Sequence, residues 1–118
     1  MEKFEYAPAP ESAALVDIKS EYGLFITGKF VAPKSGKTFT TVNPATEEVL
    51  AKIAYAELAD VNLAVTAARN AFTKTWSKMP ASERGKYLFR IARILQERSR
   101  EFAVLETLDN GKPIRETR

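Results

Sequence analysis

The chain has 118 residues, 45% of them hydrophobic and 28% charged, with 18 lysines and arginines against 15 aspartates and glutamates and a formal charge of +3. It contains no cysteine and no histidine, which excludes disulfides, thiolate metal sites, thiol nucleophiles and the commonest general base from these residues. No apolar run approaches the roughly 18 residues that a membrane helix needs. The opening MEKFEYAPAPES lacks the apolar core of a secretory signal, so the expected compartment is the cytoplasm, with no membrane partner. A chain of this length fits one domain able to bury about two thirds of its unfolded surface.

Residues 1–20 carry Pro8 and Pro10 and little periodicity, which predicts an extended arm. Leu15, Val16 and Ile18 are its means of pinning to a neighbour. Leu24-Phe25-Ile26, then Thr27-Gly28, then Lys29-Phe30-Val31 predicts a short β-hairpin turning at Gly28. Residues 38–42 alternate polar and apolar as a half-buried strand does, and residues 48–54 form another. Between them, Asn43-Pro44-Ala45-Thr46 has asparagine and proline at the first two positions of a type I turn. A helix is expected over residues 59–73, where Ala64, Ala67, Ala68 and Ala71 make a face that lets a neighbouring backbone approach. Trp76 follows it as a packing anchor.

Residues 81–113 form a long helical run with a hard stop. Tyr87, Leu88, Ile91, Ile94 and Leu95 recur at intervals of three and four, so at about 100° per residue they line one stripe that needs a partner. Lys86, Arg90 and Arg93 fall opposite, interleaved with Glu83 and Glu97. That is a solvated face with helix ion pairs, not the unbroken basic cluster with aromatic platforms that nucleic acid requires. Ser99 reads as a fresh N-cap for a second helix carrying Phe102, Leu105 and Leu108. Asn110 and Gly111 supply left-handed residues to close it, and Pro113 opens the next helix. Asp109 then lies at the negative end of a helix dipole. It is a solvated or turn-bonding residue, a cation ligand, or the anchor of a tight backbone crossing. The five glycines, at positions 23, 28, 36, 85 and 111, draw neither a dinucleotide fingerprint nor a P-loop. The residues alone thus give an α/β chain of two hairpins followed by three helices, and no function.

The run Phe25-Ile26-Thr27-Gly28-Lys29-Phe30, the stretch TFTTVNPATEEV, the stretch DVNLAVTAARNAF, Trp76 with Ser82-Glu83-Arg84-Gly85, and LETLDNGKP stand in that order. Together, over residues 22–115, they resemble the N-terminal part of the NAD(P)-dependent aldehyde dehydrogenase superfamily. The resemblance implies a much longer enzyme with a Rossmann-like cofactor domain, of which residues 21–118 would be an incomplete N-terminal part. It implies oxidation of an aldehyde to a carboxylic acid through a thiohemiacetal on a cysteine, hydride transfer to NAD or NADP, and release by a glutamate-activated water. The family's catalytic and phosphate-binding residues lie beyond Arg118, so no catalytic or cofactor-binding residue is expected here and the isolated chain is expected to be inactive. Some members bind a monovalent cation in this region, which carries over to Thr41, Val42 and Asp109. The implied partners are the rest of the polypeptide and further copies in a homo-oligomer, with residues 24–31 as a candidate subunit contact. Glu47 departs from the glycine common after this turn, which puts the local turn in question. The alternative function is a truncated, non-catalytic relative that serves as an interaction or assembly module.

Overall fold

A computed structural model describes residues 12–117. Five strands come first: β1 (Glu21–Tyr22), β2 (Leu24–Ile26), β3 (Lys29–Val31), β4 (Thr38–Val42) and β5 (Val49–Ala54). The helices α1 (Leu58–Lys74), α2 (Ala81–Glu97), α3 (Ser99–Asn110) and the short α4 (Ile114–Thr117) follow. Both expected hairpins form. β2 pairs antiparallel with β3 in the register Leu24 to Val31, Phe25 to Phe30 and Ile26 to Lys29. Its two turn residues both take positive φ, 55° at Thr27 and 79° at Gly28, the primed geometry whose twist matches the strands.

β4 pairs antiparallel with β5, with a register shift between Thr41 and Val42. The link between them is not a simple four-residue turn. The Glu47 N–H reaches back to the Asn43 carbonyl at 2.8 Å, a five-residue closure that needs a left-handed residue, and Glu47 supplies it at φ 63°. The conformation a glycine would favour is thus kept without one, at a strain of about 1 kcal/mol. β1 was not legible beforehand. Only two residues long, it runs parallel to β5, Glu21 beside Lys52 and Tyr22 beside Ile53, so β5 is the centre of a β1-β5-β4 sheet.

The arm of residues 12–20 makes one turn of 3-10 helix at Ala13–Leu15, with the Ser12 hydroxyl accepting from the Ala14 N–H. Leu15 and Val16 meet Phe102 and Leu105 of α3 across an open groove, the pinning the sequence suggested. The part of the arm before residue 12 lies outside the described residues. On α1, the alanine face is overlain by the tip of the first hairpin, where Phe25 to Gly28 and Ala64, Ala67, Ala68 and Ala71 line one groove. Trp76 meets Tyr87 with ring centroids 6.2 Å apart yet stays 37% exposed.

Ser99 is the first residue of α3 and not its cap. Arg98 occupies the cap position at φ −104°, ψ 17°, and its guanidinium holds Glu101 with Nε and Nη2 at 3.0 and 2.6 Å from one carboxylate oxygen. That ion pair fastens the first turn of α3 in place of a hydroxyl. Arg93 and Glu97 pair at 3.6 Å on the solvated face of α2.

The interior is far smaller than chain length suggested. The buried apolar residues among those described are Ala51, Ala54, Ala103 and Val104, with no large side chain fully enclosed. Tyr87, Leu88, Ile91, Ile94 and Leu95 all face solvent, as do Val61, Val65 and Phe72 of α1. The molecule measures 67 × 38 × 19 Å with a radius of gyration of 18.8 Å, against about 13.5 Å for a compact domain of this length. No helix among the described residues is long and apolar enough to cross a membrane.

Apolar surface on this scale drives association. The isolated chain is therefore expected to sediment above monomer mass, increasingly so at higher concentration, and to light up an apolar dye. A concentration-independent monomer with one sharp cooperative melt would contradict this.

Candidate functional site

The end of α3 is built against the β4–β5 turn. Gly111 closes the helix in the left-handed region, φ 76° and ψ 9°, with its N–H on the Thr107 carbonyl at 3.0 Å. A Cβ at this position would lie 2.9 Å from Pro44 Cγ, so the proline ring rests on the glycine backbone. Asn43 is buried and fixes that proline from three directions. Its N–H donates to the Glu48 carbonyl at 2.9 Å, its carbonyl accepts from Glu47, and its side-chain Oδ1 accepts from the Ala45 N–H at 3.0 Å.

Of the three residues expected to ligate a cation, two are brought together. The Thr41 hydroxyl donates to Asp109 Oδ1 across a separation of 68 residues. Val42 follows Thr41 over the bulge in β4. The Asp109 carboxylate, at a helix C-terminus, therefore anchors a backbone crossing. The carboxylate oxygens and the threonine hydroxyl are hard oxygen donors. No group of three or more histidine, cysteine, aspartate or glutamate side chains is poised to hold a metal among the described residues.

A second organising carboxylate escaped the sequence reading. Asp60 is only 3% exposed, and its two oxygens serve different elements. Oδ1 accepts from the Lys34 N–H at 3.0 Å, in the loop after the first hairpin, and Oδ2 accepts from the Glu57 N–H at 3.1 Å, at the start of α1. The Glu57 side chain in turn pairs with Lys37 at 2.5 Å. The Lys34 and Glu57 amides hold the Asp60 carboxyl below the usual carboxylate range, against the opposing pull of burial. The available signal was the spacing Glu57-x-x-Asp60 ahead of an apolar-periodic run, the returning half of a capping box.

Glu101 is also held low, first by its hydrogen bond from Arg98. Depressed folded-state values mean that both carboxylates add stability that is complete above their unfolded values, about 4. That stability is lost as pH falls through the folded values. Asp60→Asn should lower the melting midpoint at neutral pH and flatten the acid limb of a midpoint-versus-pH curve; an acid limb identical to the parent's would refute the assignment. Gly111→Ala should cost the longer polypeptide about 2 kcal/mol by chemical denaturation, combining left-handed strain with the collision against Pro44. Glu47→Gly should leave stability equal or slightly raised, since relief of strain opposes added chain entropy.

Comparison with known proteins matches this geometry to one family. The aldehyde dehydrogenase family model matches residues 30–118. The mitochondrial aldehyde dehydrogenase of Leishmania tarentolae is 53% identical over 90 residues, covering 76% of this chain and 18% of that protein. Aldehyde dehydrogenase family 2 member B4 of Arabidopsis thaliana, also mitochondrial, is 48% identical over 95 residues, 80% of this chain and 18% of that protein. The chain thus spans about a fifth of the length of the curated relatives it matches. Among solved structures, the NAD+ complex of the Bacillus cereus aldehyde dehydrogenase superposes with a TM-score of 0.79 at 42% identity, over 92% of this chain and 22% of that one. The fold is an N-terminal portion of that α/β architecture, and the chain belongs to the aldehyde dehydrogenase family.

Proposed function

We propose that this chain is the N-terminal segment of a longer enzyme that oxidises an aldehyde to a carboxylic acid with NAD or NADP as hydride acceptor. In that enzyme, residues 21–118 form part of the cofactor-binding domain and residues 1–20 an arm. The carrying observation is the joint agreement in sequence and fold with aldehyde dehydrogenases, one of them solved with NAD+. The segment contributes scaffold. It has no thiol nucleophile and no glycine-rich phosphate loop, so its residues do not fit the dinucleotide and no chemical step is assigned to them. The apolar faces of α1 and α2 suit burial by the remaining polypeptide, a partner implied by relatives of which the match covers only 18%.

Two finer readings accompany this. The enzyme is a homo-oligomer with the β2–β3 hairpin at a subunit contact, a role supported by Phe25 and Phe30, which stack edge to face at 5.1 Å while each remains 64% exposed. Thr41, Val42 and Asp109 hold a monovalent cation through oxygen atoms, a reading supported by the hydroxyl-carboxylate contact at the helix end.

The activity test is NAD(P)H absorbance on a panel of aldehydes, comparing the longer polypeptide with the 118-residue chain. Turnover by the first and none by the second is expected; a longer polypeptide that oxidises no aldehyde would leave the non-catalytic assembly module as the correct reading. For the cation, the longer enzyme should be about 1 kcal/mol more stable in potassium than in a bulky organic ammonium salt, and Asp109→Asn should abolish the difference. Equal stability of the parent in both salts would eliminate the cation.

A further inference from the structure

The stop after α3 contains a reactive pair whose reaction is blocked by the geometry that surrounds it. The chain has four asparagines, and only Asn110 is followed by glycine. Asn43 precedes Pro44, which has no N–H, while Asn62 and Asn70 lie within α1 and precede Leu63 and Ala71. An asparagine followed by glycine is the pairing most open to intramolecular attack, because no side chain shields the next backbone nitrogen. Asn110 is also exposed, at the last position of its helix.

Both partners in that attack are engaged. The Gly111 N–H, whose nitrogen would be the nucleophile, donates to the Thr107 carbonyl at 3.0 Å. The Asn110 side-chain Oδ1 accepts from the Lys112 N–H at 2.9 Å, which fixes the side chain while the cap is closed. Pro44 rests on Gly111 and keeps this backbone in its left-handed conformation.

We propose that Asn110–Gly111 is a site of spontaneous deamidation held dormant by the α3 cap, reacting only when the cap opens. The Gly111 nitrogen gives up its proton to water or buffer base and bonds to Asn110 Cγ. The Cγ–Nδ2 bond breaks, and ammonia leaves carrying the proton the tetrahedral centre requires. Water then opens the cyclic imide at either carbonyl, giving aspartate or isoaspartate, with no change in oxidation state. Either product places a second negative charge beside Asp109 at the negative end of the helix. Isoaspartate also lengthens the backbone by one methylene where Gly111 must meet Pro44, so the cap does not re-form. This holds whether or not the junction binds a cation.

The test incubates the longer polypeptide at mildly alkaline pH in native buffer and in concentrated guanidinium. Conversion is followed by peptide mass mapping, and isoaspartate by labelling with a protein isoaspartyl methyltransferase. Asn110 should convert at least about tenfold faster in guanidinium, the ratio set by how rarely the cap opens. Pro44→Ala, which leaves the reacting pair intact, should raise the native rate without altering the rate in guanidinium. Equal rates for the parent in the two solvents would remove the latch. Absence of conversion at Asn110 in guanidinium would remove the site itself.

Discussion

A proline ring lying on a glycine backbone fixes how the strands and helices of this chain meet. The ring of Pro44 sits where any β-carbon on Gly111 would have to go, and the two residues belong to elements on either side of three helical segments. The Thr41–Asp109 hydrogen bond spans the same crossing one step away. Each partner is held locally before it meets the other. Asn43 secures the turn with its own main chain and side chain, and the left-handed Gly111 ends the helix. A junction made of backbone geometry tolerates little adjustment, because interiors in contact at van der Waals distance transmit displacement instead of absorbing it.

The rest of the molecule has little to hold it. Hydrophobic stabilisation scales with the apolar area removed from water, and among the described residues the enclosed apolar side chains are three alanines and a valine. The α2 stripe contains five large apolar side chains that all stay exposed, Tyr87 among them despite its contact with Trp76. The polar ties, Asp60 to Lys34 and Glu57 and Arg98 to Glu101, define local shape, but exposed ion pairs contribute little on their own. The architecture is specified by turns, caps and register, while its stability belongs to a larger body than this chain.

What could be read in the sequence was whatever is decided within a few residues. The Thr27-Gly28 turn, the β4 strand, the apolar period of α2 and the Gly111 stop each depend on local dihedral preference or periodicity, and each is present in the structure, although the apolar residues of β4, Phe39 and Val42, are exposed and not half-buried. β1 was not readable because a two-residue strand has no period, and its partner is 31 residues further on. Asp60 was not readable as an organiser because its Lys34 partner is a main-chain amide that any residue would supply. Ser99 misled because a hydroxyl at a helix break is only one way to satisfy the first turn, and the Arg98–Glu101 pair is another. Glu47 shows the limit of residue preference in the opposite sense: the turn's hydrogen bonds hold φ at 63° although the side chain disfavours it. At the candidate site, Asp109 stood out as a carboxylate at the negative end of a helix, while Thr41 was reached only through family likeness, since nothing local joins residues 68 apart.

That separation orders events during synthesis. Both hairpins consist of contacts between near neighbours and are complete in sequence by Ala54, so they can close while the chain is still being made. The crossing cannot. It waits until α3 has been translated and its last turn has left the ribosome, and closing so long a loop carries an entropic cost that grows with the logarithm of its length. During that interval the strained Glu47 turn stands without the helix end beneath it, and α2 presents its apolar stripe before any partner surface exists. The arrival of Gly111 ends only the first of these exposures: it gives the turn its helix end, while the α2 stripe stays open to solvent.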